Sequence, residues 1–334
     1  MSHAAAMMFR PFDRFFSSLI NDPRDLPFVY LMIQCAAVAA CGIGLFFIES
    51  YFWLFAVAYW VVWMLGVLDR FILMLHCTSH RILFRREYRS FNRVIPWLLS
   101  PFFGETPETY FTHHMGMHHP ENNMHADLST TLPYQRDRIS HWLHYFLTFF
   151  ARTAIDLTRY HFQKGNPKMA RRTMFGELSF WFLVLGLMFV NWRATVVVFV
   201  VPLVLVRILM MAGNWAQHAF INPSDPENPY VNSITCINTR YNRRCFNDGY
   251  HIHHHVNARC HWTEYPAEFE TNREIYGKHD AIVFDGVDFF EVWLMLMLKR
   301  YRALARRFVQ LPGAPTRTED EVIAFLKSRL VPVV

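Results

Sequence analysis

Apolar positions are concentrated in four long runs, at about residues 28–48, 51–75, 174–190 and 194–212, separated by polar and basic stretches. The first two hold about 20 residues or more, and a helix of roughly 20 apolar residues crosses a hydrocarbon core of about 30 Å. The third is the shortest and carries Glu177. Glu49 and Ser50 make the turn between the first pair, and Asn191, Trp192 and Arg193 the turn between the second. The pattern predicts two helical hairpins, each returning to the side from which it starts. The expected architecture is an all-α membrane protein, one domain over 1–334. Four transmembrane helices form a stem, and segments 76–173 and 213–334 form a helical cap.

Charge orients this arrangement. Of the 33 Lys and Arg residues, 30 lie in the N-terminal arm (Arg10, Arg14, Arg24), the 76–173 loop or the tail beyond 213. Arg193 alone falls in an opposite-side turn, while Arg70 and Arg207 fall inside helices. The excess of positive charge on cytoplasmic segments puts both termini and the cap in the cytoplasm, at a bacterial inner membrane or the endoplasmic reticulum. Hydrophobic residues make up 53% of the chain, with 32 Phe and 10 Trp. That excess suits rings packed in a bilayer and at its interfaces. Two further stretches, His141–Leu157 and Val292–Phe308, read as amphipathic helices that lie on the membrane or pack on the cap. The N-terminus has no short apolar core with a small-residue cleavage site, so no cleaved signal peptide is expected. Six cysteines form no CxxC pair and read as reduced thiols.

The histidines carry the chemistry. Eighteen are present, and eleven fall in four tight groups. These are His76-Cys-Thr-Ser-His80, His113-His114-Met-Gly-Met-His118-His119, Asn214-Trp-Ala-Gln-His218 and His251-Ile-His253-His254-His255. Residues at i, i+3 and i+4 share a helix face. On that rule His76 and His80 converge, as do His114 and His118 with His119 about 100° round, and His251, His254 and His255. The predicted topology puts all four groups on the cytoplasmic side. A catalytic zinc needs about three protein ligands. Nine histidines suit two metal ions, and imidazole binds iron, zinc, copper and nickel. Two redox-active irons (Fe2+/Fe3+) account for the number and permit dioxygen to serve as co-substrate. No HExxH motif of a zinc hydrolase is present, and no nucleic-acid partner is expected.

These boxes resemble the membrane fatty acid desaturase and hydroxylase superfamily, whose pattern is HxxxH or HxxxxH, then HxxHH or HxxxHH, then HxxHH. The resemblance covers roughly residues 28–265. It implies a mushroom-like fold and a di-iron centre acting on a fatty acid or acyl chain in a buried tunnel. His76, His80, His114, His118, His119, His251, His254 and His255 match the boxes. Asn214 and His218 are similar to an asparagine and a ninth histidine in stearoyl-CoA desaturases, where the asparagine holds a metal-bound water. Asn247-Asp-Gly-Tyr-His251 looks like the approach to the last box in sphingolipid-type desaturases. The second box has three residues before its His pair, as in alkane hydroxylases, where the segment reads EHxxGHH. Here His113 and Met117 stand at the Glu and Gly positions. His113 and His253 lie outside the pattern.

Imidazole ligands are usually oriented by carboxylates on their second nitrogen. Asp127, Asp248, Glu121 and Glu264 lie close enough in sequence. Asp69 falls within the bilayer end of the second run, where charges are costly and usually functional or paired; Arg70 is its neighbour. Arg240, Arg243 and Arg244 form a cluster suited to a substrate head group, carboxylate or phosphate, or to lipid phosphates. With no HPGG, GxGxxG or ferredoxin cysteines, electrons are expected from a separate ferredoxin, rubredoxin or cytochrome. The expected reaction is desaturation. Hydroxylation of an acyl chain or alkane, or oxidative decarboxylation of a free fatty acid to a terminal alkene, would share its first step.

Overall fold

The structure is a computed structural model describing residues 11–333. Arg10, counted with the basic N-terminal arm, lies outside them. The chain is mostly helical, and three helical runs are long and apolar enough to cross a membrane: Pro23–Phe47, Phe52–His80 and Pro167–Gln217. The first is built on α1 (Leu26–Gly44). The second joins α2 (Phe52–Val61) to α3 (Asp69–His80) through a seven-residue π-helical stretch, Val62–Leu68. Within that stretch Arg70 and Arg244 both donate to the Gly66 carbonyl, and Arg244 also reaches Leu65 O at 2.7 Å.

Part of the 76–173 segment packs against the apolar runs. Ile95, Leu99 and Phe103 are buried in the same core as the apolar runs. Phe103 stacks on Phe71 with ring centroids 4.2 Å apart, and Trp63 donates to Phe102 O at 3.0 Å. Gly104 then turns the chain with φ +74°, and a Cβ there would sit 2.3 Å from Pro202 O. Only glycine fits this approach. The short helix α4 (Thr109–His113) follows, then α5 (Ile139–Gln163). The expected helix over His141–Leu157 is therefore present and longer. It buries Trp142, Tyr145, Phe146 and Phe149 and leaves Leu143, Leu147 and Phe150 exposed.

The third run has 51 residues, formed by α6 (Pro167–Thr195), a π-helical turn and α7 (Val201–Gln217). α6 begins seven residues before the apolar stretch because Asn166 caps it, accepting from Met169 N, with Pro167 in its first turn. A straight helix of this length would span roughly 75 Å at 1.5 Å per residue, far more than one crossing. It is broken at Asn191, whose backbone is extended (φ −156°, ψ 94°). The Asn191 side chain accepts from Ala194 N and donates to Phe46 O at 3.2 Å, so this corner meets the corner after α1.

Beyond α7 the all-α expectation needs correction. β1 (Ile234–Ile237) leads to α8 (Arg240–Arg244), α9 (His251–Val256) and α10 (Tyr265–Lys278). β2 (Ile282–Asp285) then pairs parallel with β1, Ile234 opposite Ile282. α11 (Phe289–Met297) is held by a capping box between Asp288 and Glu291. The single amphipathic helix expected over Val292–Phe308 does not form. Lys299 takes a left-handed conformation (φ 57°), and Arg300 N closes on Met295 O, which ends the helix.

Candidate metal centre

The nine predicted histidines come from four separate segments: the end of α3, the turn after α4, the residue after α7, and α9. They gather in two groups able to hold metal ions, with ligand atoms in each lying within 4.8 Å of one another. One holds His76, His80, His114, His119 and His254; the other holds His118, His218, His251 and His255. His113 and His253 belong to neither.

The partition differs from the face-sharing expected of α-helices. His114–His118 is π-helical, and a π turn inserts a residue into the helical repeat. His114 and His119 consequently face each other, Nε2 to Nε2 at 3.1 Å. His118, expected beside His114, turns to the second group. The last box also divides. His251 and His255 pair at 3.0 Å within the second group, while His254 Nε2 lies 3.0 Å from both His76 and His119.

The donor set fits metal ions. His76 Nδ1 lies 3.1 Å from Asp248 Oδ1, His118 Nδ1 2.7 Å from Asp127 Oδ2, and His218 Nδ1 3.0 Å from Asn232 O. Each partner is an acceptor, which assigns the proton to Nδ1 and leaves Nε2 with a bare lone pair. Burial holds His114, His251, His254 and His255 well below the usual imidazole range, and the neighbouring rings add to the effect. Neutral rings aiming lone pairs at one another from about 3 Å are a cation site by chemistry.

Two of the four candidate carboxylates act on these rings. Asp248 also accepts from Tyr241 O–H at 2.7 Å. Burial opposes the charge on Asp127, but the pull of His118 outweighs it and holds that carboxyl well below the usual range. Gly249 lets the chain that carries Asp248 and His251 pack against Asn242 and the Cys236 carbonyl. A Cβ there would lie 2.2 Å from Asn242 Oδ1, which accepts from Gly249 N. Glu121 instead meets Tyr160 and Lys164, and Glu264 meets Arg24. Asp69 pairs with Arg244 across 175 positions of sequence, rather than with Arg70. Asn214 donates to Ser129 O and Tyr145 Oη, which leaves its carbonyl oxygen free.

A cavity of about 710 Å³ runs beneath the histidines, touching His76, His114, His118 and His251. Leu68, Ile72, Leu73, Met210, Met211 and Phe289 give it apolar walls. Arg240 and Arg244 line it and Arg243 does not. Glu105, Thr109 and Arg207 also line it, all three buried. Arg207 Nε lies 3.9 Å from Glu105 Oε1, and neither atom has a hydrogen-bond partner. Burial pushes the Glu105 carboxyl up to about 7, against the pull of Arg207.

Residues 51–286 match the fatty acid desaturase family. The chain belongs to that family. No individual curated protein and no solved structure matches it. Membership implies an oxidoreductase that acts on fatty acyl chains in a membrane setting.

For a fatty acid desaturase, several of these contacts have no counterpart in the sequence reading. Tyr265, 3.2 Å from His254 Nδ1, and Asn232 behind His218 carry no motif. Arg207 did carry a signal, as a charge inside an apolar run, the same feature that singled out Asp69. Asp127→Ala is expected to weaken metal retention or turnover by about 10- to 100-fold, the range for losing a partner that orients a histidine ligand. Metal content after dialysis against chelator measures it. Retention equal to wild type would show that the Asp127 contact orients nothing.

Proposed function

We propose that this protein introduces a double bond into a fatty acyl chain, using dioxygen at a two-iron centre held by the nine grouped histidines. The observation that carries this reading is the apolar-walled cavity that is lined by residues of both histidine groups. Its volume is that of a site for one small ligand, roughly 300–1,000 Å³. Iron bound there would supply the oxidant needed to attack an unactivated C–H bond. The chain's own residues do the rest. Leu68, Ile72, Leu73 and Met210 hold an alkyl chain against the histidines and exclude water. Asp127, Asp248 and Asn232 fix the rings that face it. The Asn214 carbonyl accepts from a water beside His218.

Desaturation takes two hydrogens from adjacent carbons. With two electrons and two protons supplied, dioxygen leaves as two waters. The electrons come from a separate ferredoxin, rubredoxin or cytochrome docking on the basic cytoplasmic face. The break at Asn191 supports two crossings within the third run and four in all, with both termini cytoplasmic. A cysteine at Trp192 is then expected to react with membrane-impermeant reagents only from outside, and one near Asp137, at the exposed Arg138, only from inside. Labelling of both from one side would refute four crossings.

The reaction is tested by mass spectrometry of products from a saturated long-chain substrate, with and without oxygen. The expected product keeps its chain length and is two mass units lighter. An added oxygen would mean hydroxylation, and a terminal alkene one carbon shorter would mean decarboxylation. Either would replace the desaturase reading.

A further inference from the structure

The cavity wall shows where it opens. Nearly all residues around it are buried or half-buried, and four are exposed: Met64, Leu65, Arg240 and Phe290. Met64 and Leu65 lie in the π-helical stretch of the second apolar run, 43% and 69% exposed. That run begins at Phe52. At about 1.5 Å per residue, Leu65 lies roughly 20 Å along it, still within a hydrocarbon core of about 30 Å. Phe290, on the opposite lip, begins an exposed stripe on α11 that continues through Leu294 to Leu298 just past its end. Both lips are therefore apolar outward as well as inward. A mouth facing water would leave this surface exposed at a cost, whereas lipid satisfies it.

Charge at the mouth is nearly all spoken for. Arg244 is paired with Asp69 and bonded to the carbonyls of Leu65 and Gly66, which ties α8 to the apolar run. Asp288 serves as N-cap of α11, accepting from Glu291 N. Arg240 is exposed and has no ion pair among the described residues. A long cationic side chain beside an apolar lip can extend its charge to the headgroup layer.

We infer that the cavity opens sideways into the bilayer between Met64/Leu65 and Phe290, and admits a single-chain carboxylic acid dissolved in the membrane, its head group resting on Arg240. This rests on the reading of the cavity as an acyl site and names the form in which the chain arrives. An acyl chain on a soluble phosphorylated carrier would have to reach the same mouth from the water side.

The test uses the full chain reconstituted in liposomes and a fatty acid bearing a photoreactive group at its methyl end. One arm supplies the acid in the bilayer, and the other supplies the same chain esterified to a soluble phosphorylated carrier. The bilayer acid is expected to label the cavity wall around Leu73 and Met210. Leu65→Trp and, from the opposite lip, Phe290→Trp are each expected to lose most of that label. Wall labelling by the carrier-bound chain alone, or equal labelling of both variants and wild type, would overturn the lateral mouth. Photolabelling needs no turnover. A protein that labels as expected but oxidises no acyl chain would sink the proposed function and leave the mouth standing. One that oxidises chains without bilayer labelling would do the reverse.

Discussion

His254→Ala and His118→Ala are each expected to abolish turnover while leaving membrane insertion intact. Each should also lower the iron content from about two ions per chain towards one. The two residues report on different groups: His254 faces His76 and His119, whereas His118 sits with His218, His251 and His255. Losing a residue that orients a ligand costs about 10- to 100-fold, so losing the ligand itself should exceed that. Insertion depends on the apolar runs, which neither substitution touches. His141 and His279 provide the comparison. They contact Gln135 N and Asn228 outside both groups, and their alanine variants should be nearly silent. Full activity in His254→Ala, or wild-type protein holding one zinc and negligible iron, would overturn the centre.

Arg136→Ala is expected to produce the largest loss of stability. Arg136 is fully buried and donates to the carbonyls of Ala219, Thr131, Leu132, Tyr134, Arg329 and Val331. Those six acceptors come from three segments: the loop before α5, the turn after α7 and the C-terminal end. Hydrogen bonds to a charged group contribute about 1.5–3 kcal/mol each, and a buried acceptor left without a donor costs about 1–3 kcal/mol. Some of the six would find other donors or water, so a net loss of about 3–5 kcal/mol is expected. Arg136→Lys should recover only part, because an ammonium cannot reproduce the planar fork. Thermal unfolding of the detergent-solubilised protein measures this. A melting temperature unchanged in Arg136→Ala would show that the carbonyl cage holds nothing together.

The histidine boxes were legible because their spacing is discrete and the predicted topology put every box on one side. Their division between two centres was not. Spacing was converted to angle with the α-helical repeat, and His114–His118 follows another repeat. Hydropathy located the apolar runs but stopped short at Met174, since the first turns of α6 carry Lys168, Arg171 and Arg172 on a helix begun by Asn166 and Pro167. The β1–β2 pair was invisible for a different reason. Two four-residue strands whose partners are 48 positions apart carry too little alternation to stand out. Asp69 illustrates the limit of neighbour logic. Arg70 is adjacent along the helix and so points elsewhere, while Arg244 arrives from far along the chain. Arg136, in an irregular loop, offered no pattern at all.

The centre's construction also sets an order of events during synthesis. His76 and His254 are 178 positions apart yet lie 3.0 Å from each other. Every group of donors needs residues from α9, close to the end of the family-matching region. A nascent chain that has made its second box therefore holds four histidines of the first group ready, but neither group is complete until α9 has been made and has docked. The full ligand sets would then be closed only after α9 docks. An ion bound there would fasten α3, the second box and α9 together like a rivet set after the plates are aligned.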